Sequence, residues 1–353
     1  MMASRLNRRA LRTVESALAA FTLAACANFG TSNLTPQGFS AHASPVGRSA
    51  AAAFTFYTVD YPNEHPNRIT GIAKNREIVG VYGNNGSQGP YHSYTSLYNA
   101  SQPYTQFQVD DFPNSQSTYM TSIAIPAHST TAIQAGYVIT PADLQGNWGV
   151  INNKGLWSLV RRNRGERTCH MMELFGIDAK YDAVGFYWND DSPSGTCGKY
   201  TQYPTEVVPG EGFHDYPHVL GAYPSATGIN RAGLLVGSTD VSGNGASKGW
   251  TRGQADSYKY WNYDNKSRLS TLMNGMNDAG VIVGTYKDLT GDWHGFIVSN
   301  LFSTTKQPVW QSIDEPDGDQ ESTVISGIDG SGDICGWYTG TDGLIHGFVG
   351  IRQ

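Results

Sequence analysis

Charge is scarce in this chain. Asp, Glu, Lys and Arg together make up 15% of its 353 residues, and the balance is negative, −6 with histidine neutral. A nucleic-acid partner would need a basic face to meet its phosphates. The one basic run, Arg161-Arg162-Asn163-Arg164, reads as an exposed loop. Long apolar runs are missing as well. Beyond residue 26 nothing approaches the ~20 apolar residues that a membrane-spanning helix requires. No phosphate loop, dinucleotide fingerprint, Cys-x-x-Cys or His-Glu-x-x-His occurs. No cofactor is therefore expected. Four cysteines are too few for a disulfide-built scaffold of this length.

The first 26 residues are unlike the rest. Arg5, Arg8, Arg9 and Arg12 give a basic start, and an Ala-rich apolar stretch follows from Ala17 to Ala25. That stretch is too short to span a bilayer and reads as an export signal. Its end, Leu23-Ala24-Ala25-Cys26, resembles the lipobox of bacterial lipoproteins. The resemblance implies cleavage before Cys26, a diacylglycerol on its thiol, and attachment to a membrane through that lipid. An ordinary signal peptide cut near Ala25 is the alternative. Ala27 stands where an Asp would resemble an inner-membrane retention signal, which favours the outer membrane or the extracellular side. Losing Arg5, Arg8, Arg9, Arg12 and Glu15 takes the net charge to −9. Residues 27–53, rich in small and turn-forming residues and without periodicity, read as a flexible tether.

What the chain has in quantity is glycine, 41 residues, and aromatics, 12%. Both favour a β-protein with many turns. One phrase returns along it: Gly-Ile, a short polar turn, then a small apolar residue and Gly. Clear copies are Gly71-Ile72…Val79-Gly80, Gly176-Ile177…Val184-Gly185, Gly228-Ile229…Val236-Gly237, Gly275-Met276…Val283-Gly284 and Gly327-Ile328…Cys335-Gly336. A worn copy sits at Ser122-Ile123, with Thr130-Thr131 at the Val-Gly place. From Ile72 the anchors step by 51, 54, 52, 47 and 52 residues. A period near 50 suits a four-stranded propeller blade. The fold expected for residues 54–353 is all-β, a six-bladed propeller of four-stranded antiparallel blades.

The ends are out of phase with this repeat. Phe56-Tyr57-Thr58-Val59-Asp60-Tyr61-Pro62 matches Phe107-Gln108-Val109-Asp110-Asp111-Phe112-Pro113 and Trp310-Gln311-Ser312-Ile313-Asp314-Glu315-Pro316. After His346-Gly347-Phe348 no such segment follows. The N-terminal strand is therefore expected to complete the C-terminal blade and remove the open edge. The glycine after each Val-like residue marks a bulge or close backbone approach, expected where neighbouring sheets crowd near the axis. Tyr82, Tyr187, Tyr286 and Tyr338, two positions later, read as packing between blades, with a sugar-stacking platform as the alternative. Thr239 interrupts that series.

Gly275-Met276-Asn277-Asp278-Ala279-Gly280-Val281-Ile282-Val283-Gly284 and His294-Gly295-Phe296 resemble the repeats of the extracellular HAF-repeat family of bacteria. The resemblance covers most of residues 54–353 and is weakest in the second copy. It implies an exported repeat protein and carries no activity with it.

Candidate chemistry is thin. Cys169 and Cys197 flank the third copy and could pair in an oxidising compartment, closing a loop of 28 residues. Cys335 stands where other copies have Val and reads as a buried apolar side chain. His294 and His346 occupy equivalent places in different copies, so a structural hydrogen bond is expected of them. Glu211, His214, Asp215 and His218 have spacing that could supply two or three metal ligands, or simply line a solvated loop. The turns 240–245 and 288–292 resemble calcium loops only loosely. The function expected is non-enzymatic: a lipid-anchored module, monomeric, that binds a glycan, polymer or protein at the cell envelope. Two rivals stand beside it, a structural envelope component and a carbohydrate-active enzyme with carboxylates at the channel mouth.

Overall fold

Every copy of the Gly-Ile phrase ends a strand, and the small-apolar-Gly pair lies on the strand that returns beside it. A computed structural model of the chain describes residues 54–83, 90–101, 103–140, 147–160, 171–190, 200–240, 246–265, 269–319 and 322–353. After β1 (Phe54–Val59), the first blade holds β2 (Asn67–Ile72), β3 (Ile78–Gly83), β4 (Tyr91–Ser96) and β5 (Phe107–Val109). The second holds β6 (Ser117–Ala124), β7 (Ile133–Ile139), β8 (Asn147–Asn153) and β9 (Leu156–Val160). The third holds β10 (Met171–Ile177), β11 (Ala183–Asp190), β12 (Tyr200–Val208) and β13 (Gly212–Asp215). The fourth holds β14 (Ala222–Ile229), β15 (Leu235–Asp240), β16 (Ser247–Arg252) and β17 (Tyr258–Trp261). The fifth holds β18 (Ser270–Met276), β19 (Ile282–Lys287), β20 (Trp293–Ser299) and β21 (Val309–Ile313). The sixth holds β22 (Val324–Ile328), β23 (Ile334–Thr339) and β24 (Ile345–Arg352), and β1 is its fourth strand.

This is a six-bladed β-propeller, each blade a four-stranded antiparallel sheet. The expected closure is present. β1 pairs antiparallel with β24, from Phe54 opposite Arg352 to Val59 opposite Gly347. Helix among the described residues amounts to two three-residue 3-10 turns, Gln254–Asp256 and Tyr263–Asn265.

Apolar residues collect in six clusters, each between two adjacent blades. Cys335 belongs to the cluster joining the last blade to the first and is fully buried, as its Val-like place implies. Burial pushes its thiol up to about 12, so it sits there as an apolar group.

The phrase glycines sit at the expected bulge and close backbone approach, but the crowding does not come from the neighbouring sheet. A Cβ on Gly284 would lie 2.0 Å from the Leu272 carbonyl oxygen, and one on Gly336 1.9 Å from that of Val324. Both neighbours are backbone of the same blade, at the bulge where β18 and β22 slip register against their partners. The crowding is inside each sheet. It is the glycines of Gly-Ile that face the next blade: a Cβ on Gly275 would lie 2.9 Å from the Ser326 carbonyl oxygen. The second copy also needs correcting. Its Val-Gly place is taken by Ala135-Gly136, with Gly136 opposite Met120 as Gly284 is opposite Met273. Thr130 and Thr131 lie in the turn 125–132, which is three residues longer than the 73–77 turn of the first blade.

The residue before each Gly-Ile step ties one blade to the next. Thr70 Oγ1 donates to the Met120 carbonyl (2.7 Å), Thr121 to Leu174 (2.7 Å), Thr227 to Met273 (2.5 Å), Asn274 to Ile325 (2.8 Å) and Ser326 to Ile69 (2.6 Å). Only Phe175, without a donor, interrupts the circle.

Candidate functional site

Three features bear on function: a histidine clamp repeated around the ring, the cavity on the axis, and a groove at the rim.

The clamp begins with the strand pairing. His92, His294 and His346 lie directly across from Tyr82, Tyr286 and Tyr338. Each imidazole stacks on its tyrosine, with ring centres 5.1–5.4 Å apart. Each Nδ1 meets an aspartate just past the end of a fourth strand: Asp111 at 2.6 Å, Asp314 at 3.1 Å and Asp60 at 2.6 Å. The other oxygen of Asp111 accepts the Ser93 N–H, and that of Asp60 the Gly347 N–H. The expected structural hydrogen bond is thus made to an aspartate of the matched Asp-x-Pro segment. The tyrosines pack between blades as expected. Tyr61 stacks on Tyr82 at 4.0 Å, and Tyr263 on Tyr286 at 3.8 Å. Burial lowers the His294 pKa, but hydrogen bonding to Asp314 and the charges of Asp314, Asp288 and Asp292 outweigh it and leave the value raised. In the third blade Tyr203 replaces the histidine, and Asp215 accepts from the Tyr187 hydroxyl instead, at 3.2 Å. In the fourth, Thr239 faces Lys248 and the device is gone.

The axial cavity measures about 60 Å3. Its wall is three rings: Thr, Ser, Asn or Phe, then Gly or Ser, then Ile or Met. At about 10–15 Å3 per water this is room for a few waters and not for a sugar ring. No carboxylate is among the residues lining it.

The rim groove is larger, about 230 Å3, and lies between the outer strand of the fourth blade and the β20–β21 loop of the fifth. Lys259 and Trp261 form one wall, Asn300 to Pro308 the other. Leu301 and the partly buried Phe302 anchor that loop in the core between the blades. Ser303 Oγ accepts the Lys306 N–H at 2.8 Å, and Asn300 Nδ2 donates to the Gln307 carbonyl at 3.3 Å. Trp261 Nε1 donates to Thr251 Oγ1 at 3.0 Å, which fixes the indole. The groove is therefore shaped before a ligand arrives. Neither lysine has an acidic partner among the described residues. Nothing in the sequence singled these residues out; two lysines around a tryptophan in an acidic, charge-poor chain are the only signal, and it is split across two blades.

The predicted cluster does not assemble as a ligand set. His214 Nε2 comes within 3.6 Å of Glu211, both exposed. Asp215 follows His214 on β13, so it points to the opposite face, where it holds Tyr187 and Thr205. His218 lies in the exposed connection beyond. The Asp288 turn uses its own carboxylate: Oδ1 accepts the N–H groups of Thr290, Gly291 and Asp292. Cys26, the Cys169–Cys197 pair, residues 27–53, Arg161–Arg164 and the turn at 241–245 lie outside the described residues.

Neither a family model nor a curated protein matches the chain. Among solved structures, it is similar to a protein of unknown function from Dyadobacter fermentans (12% identity, TM-score 0.49, covering 84% of this chain and 98% of the other). It is also similar to the Aleuria aurantia lectin in complex with Fucα1-6GlcNAc (7%, 0.43, 84% and 92%). A third is an α-L-arabinofuranosidase from Fusarium graminearum (10%, 0.46, 85% and 97%). No ligand or activity transfers at such identities.

Proposed function

We propose that the chain is an exported propeller of the HAF-repeat kind, held to a membrane by lipid on Cys26. We propose further that it binds, without turning over, a glycan carrying carboxylate or phosphate groups. The observation that carries this reading is the rim groove. Trp261 offers an indole fixed in place, Asn300, Ser303, Thr304 and Gln307 offer hydroxyl and amide partners, and Lys259 and Lys306 offer charge. Sugars present C–H faces and hydroxyls, and an acidic sugar adds the counter-charge. A volume of about 230 Å3 falls just under the roughly 300–1,000 Å3 of sites for whole small ligands. It suits one or two residues of a longer polymer. Hydrolysis by two acids would need carboxyls about 5–10 Å apart across the bond, and the residues lining the groove and the axial cavity include none.

The test is binding of the full chain, in detergent, to a panel of neutral and acidic polysaccharides at low and high salt. Acidic members should bind, binding should weaken with salt, and Trp261→Ala or Lys259→Ala with Lys306→Ala should abolish it. If the panel is bound nowhere, or equally well by the variants, the structural-component reading takes over.

A further inference from the structure

The histidine clamps are alike in three blades, but the one at the seam has an extra group. Asp60 follows β1, His65 lies in the connection to β2, and His346 is on β24. One donor atom from each lies within 4.8 Å of the other two, the only such group of three among the described residues. The His65 and His346 rings stand edge to face, centres 5.3 Å apart. We propose that this seam is a binding site for a divalent transition ion of the zinc class, held by Asp60, His65 and His346.

The comparison with the other blades is what separates this place from a structural pair. His92–Asp111 and His294–Asp314 reproduce the clamp. His65 stands five residues after its aspartate. The same place after Asp111 is Gln116, after Asp215 it is Leu220, and after Asp314 it is Asp319. Only the seam adds a second imidazole. The donor set, two imidazoles and one carboxylate, suits zinc and its neighbours better than calcium or magnesium, which prefer oxygen.

The surroundings hold the donors in place. Asp60 Oδ1 accepts the Gly347 N–H at 3.1 Å, which orients the carboxylate and leaves Oδ2 turned to the site. Asn67, itself fully buried, lies 3.5 Å from His65 Nδ1 and accepts the Tyr61 N–H at 2.8 Å, pinning the loop that carries His65. Such outer partners fix ligand geometry at metal centres. The Asp342 carboxylate, 3.1 Å from His346 Nε2, holds the ring nitrogen on the side away from Asp60 and so orients the imidazole. The side chains of His346 and Asp60 are 15% and 25% exposed, so the donors are held by protein yet an ion can reach them from solvent.

Two donors come from the start of the domain and one from its last strand. An ion there would fasten the ring at its point of closure, and binding only the closed form would stabilise it. The experiment is titration of the full chain, treated with chelator and then dialysed, with zinc chloride and separately with cobalt(II). One zinc per chain, a melting temperature raised by zinc and lowered again by EDTA, and cobalt absorption of a tetrahedral site are expected. His65→Gln, the residue at the matching place in the first blade's loop, should lose binding by more than the roughly 10–100-fold typical of outer-partner changes. Its melting temperature without metal should match the parent's, because His65 lies outside the His–Asp clamp. Absence of stoichiometric binding in the parent, or equal binding by His65→Gln, overturns the site. The cobalt spectrum of the parent stands even if the variant folds poorly.

Discussion

The Ser326 hydroxyl donates to the Ile69 carbonyl at 2.6 Å, across 257 residues of chain. It is the last of five such bonds around the axis, and the one that joins the sixth blade to the first. The others link blades already adjacent in sequence. Removing it leaves a buried carbonyl short of a partner, which costs about 1–3 kcal/mol. Ser326→Ala should therefore lower stability by that amount. Native-state hydrogen exchange should quicken in β1, β2 and β22 and stay unchanged in β10. Uniform loss of protection through all six blades would mean the bond has no special place at the seam.

Gly284 and Gly330 predict opposite outcomes for one chemical change. A Cβ on Gly284 meets the Leu272 carbonyl oxygen at 2.0 Å and the Phe296 ring at 2.7 Å, while one on Gly330 meets nothing within 4 Å. Backbone on one side and a core aromatic on the other cannot both yield. Gly284→Ala should destabilise by about 3 kcal/mol or more, and Gly330→Ala by less than about 0.5 kcal/mol. Urea midpoints of the two variants check this. Equal midpoints would show that the bulge relaxes freely.

The architecture was legible because it is written several times over. A strand, a tight turn and a returning strand recur, and the Asp-x-Pro segments at residues 60, 111 and 314 marked where the chain closes on itself. Where local spacing changes, that legibility fails. The longer turn before Ala135-Gly136 put Thr130-Thr131 in the wrong place. Neighbours in sequence misled as well: His214 and Asp215 look like a cluster, but strand alternation sends them to opposite faces. The groove and the seam could not be read at all. Trp261 and Lys306 line one groove only across a blade boundary, and Asp60 meets His346 across 286 residues. No period announces a meeting that happens once.

Anchoring has a direct chemical test. The proposed diacylglycerol sits on the thiol of Cys26, and a bacterial lipoprotein carries more than one acyl chain, enough for stable attachment where one chain is marginal. Cys26→Ser should abolish incorporation of radiolabelled fatty acid in a bacterial host and release the protein from the membrane fraction. Labelling that survives the substitution would remove both the anchor and the envelope address.

Stability should be greatest in mild acid, and Glu173 supplies the clearest part of that slope. It lies on β10, wholly buried, with Oε1 accepting from Asn147 at 2.6 Å and Oε2 without a partner among the described residues. Burial raises its pKa to about 7, against a smaller lowering by Asn147. Burial likewise lifts Glu315 to about 7 and Asp329 to about 6. An acid that holds its proton more tightly when folded favours the folded state fully only below its unfolded value, near 4. That advantage is lost as pH rises toward the folded value. His294 acts in the same direction: its raised pKa contributes stability below about 6.5 that disappears as pH climbs through the folded value. Asp288 opposes them, since burial raises its pKa but the N–H groups of its own turn lower it further, and its contribution fades only in stronger acid. The net expectation is a fall in melting temperature from pH 5.5 to pH 8. For Glu173 alone the shift from 4.5 to about 7 is worth at most about 3 kcal/mol. Glu173→Gln keeps the acceptor for Asn147 and cannot ionise, so it should flatten the slope and raise stability at pH 8 relative to the parent. A parent that gains stability between pH 5.5 and 8, or a variant with an unchanged slope, would show that this carboxyl ionises in the fold without cost.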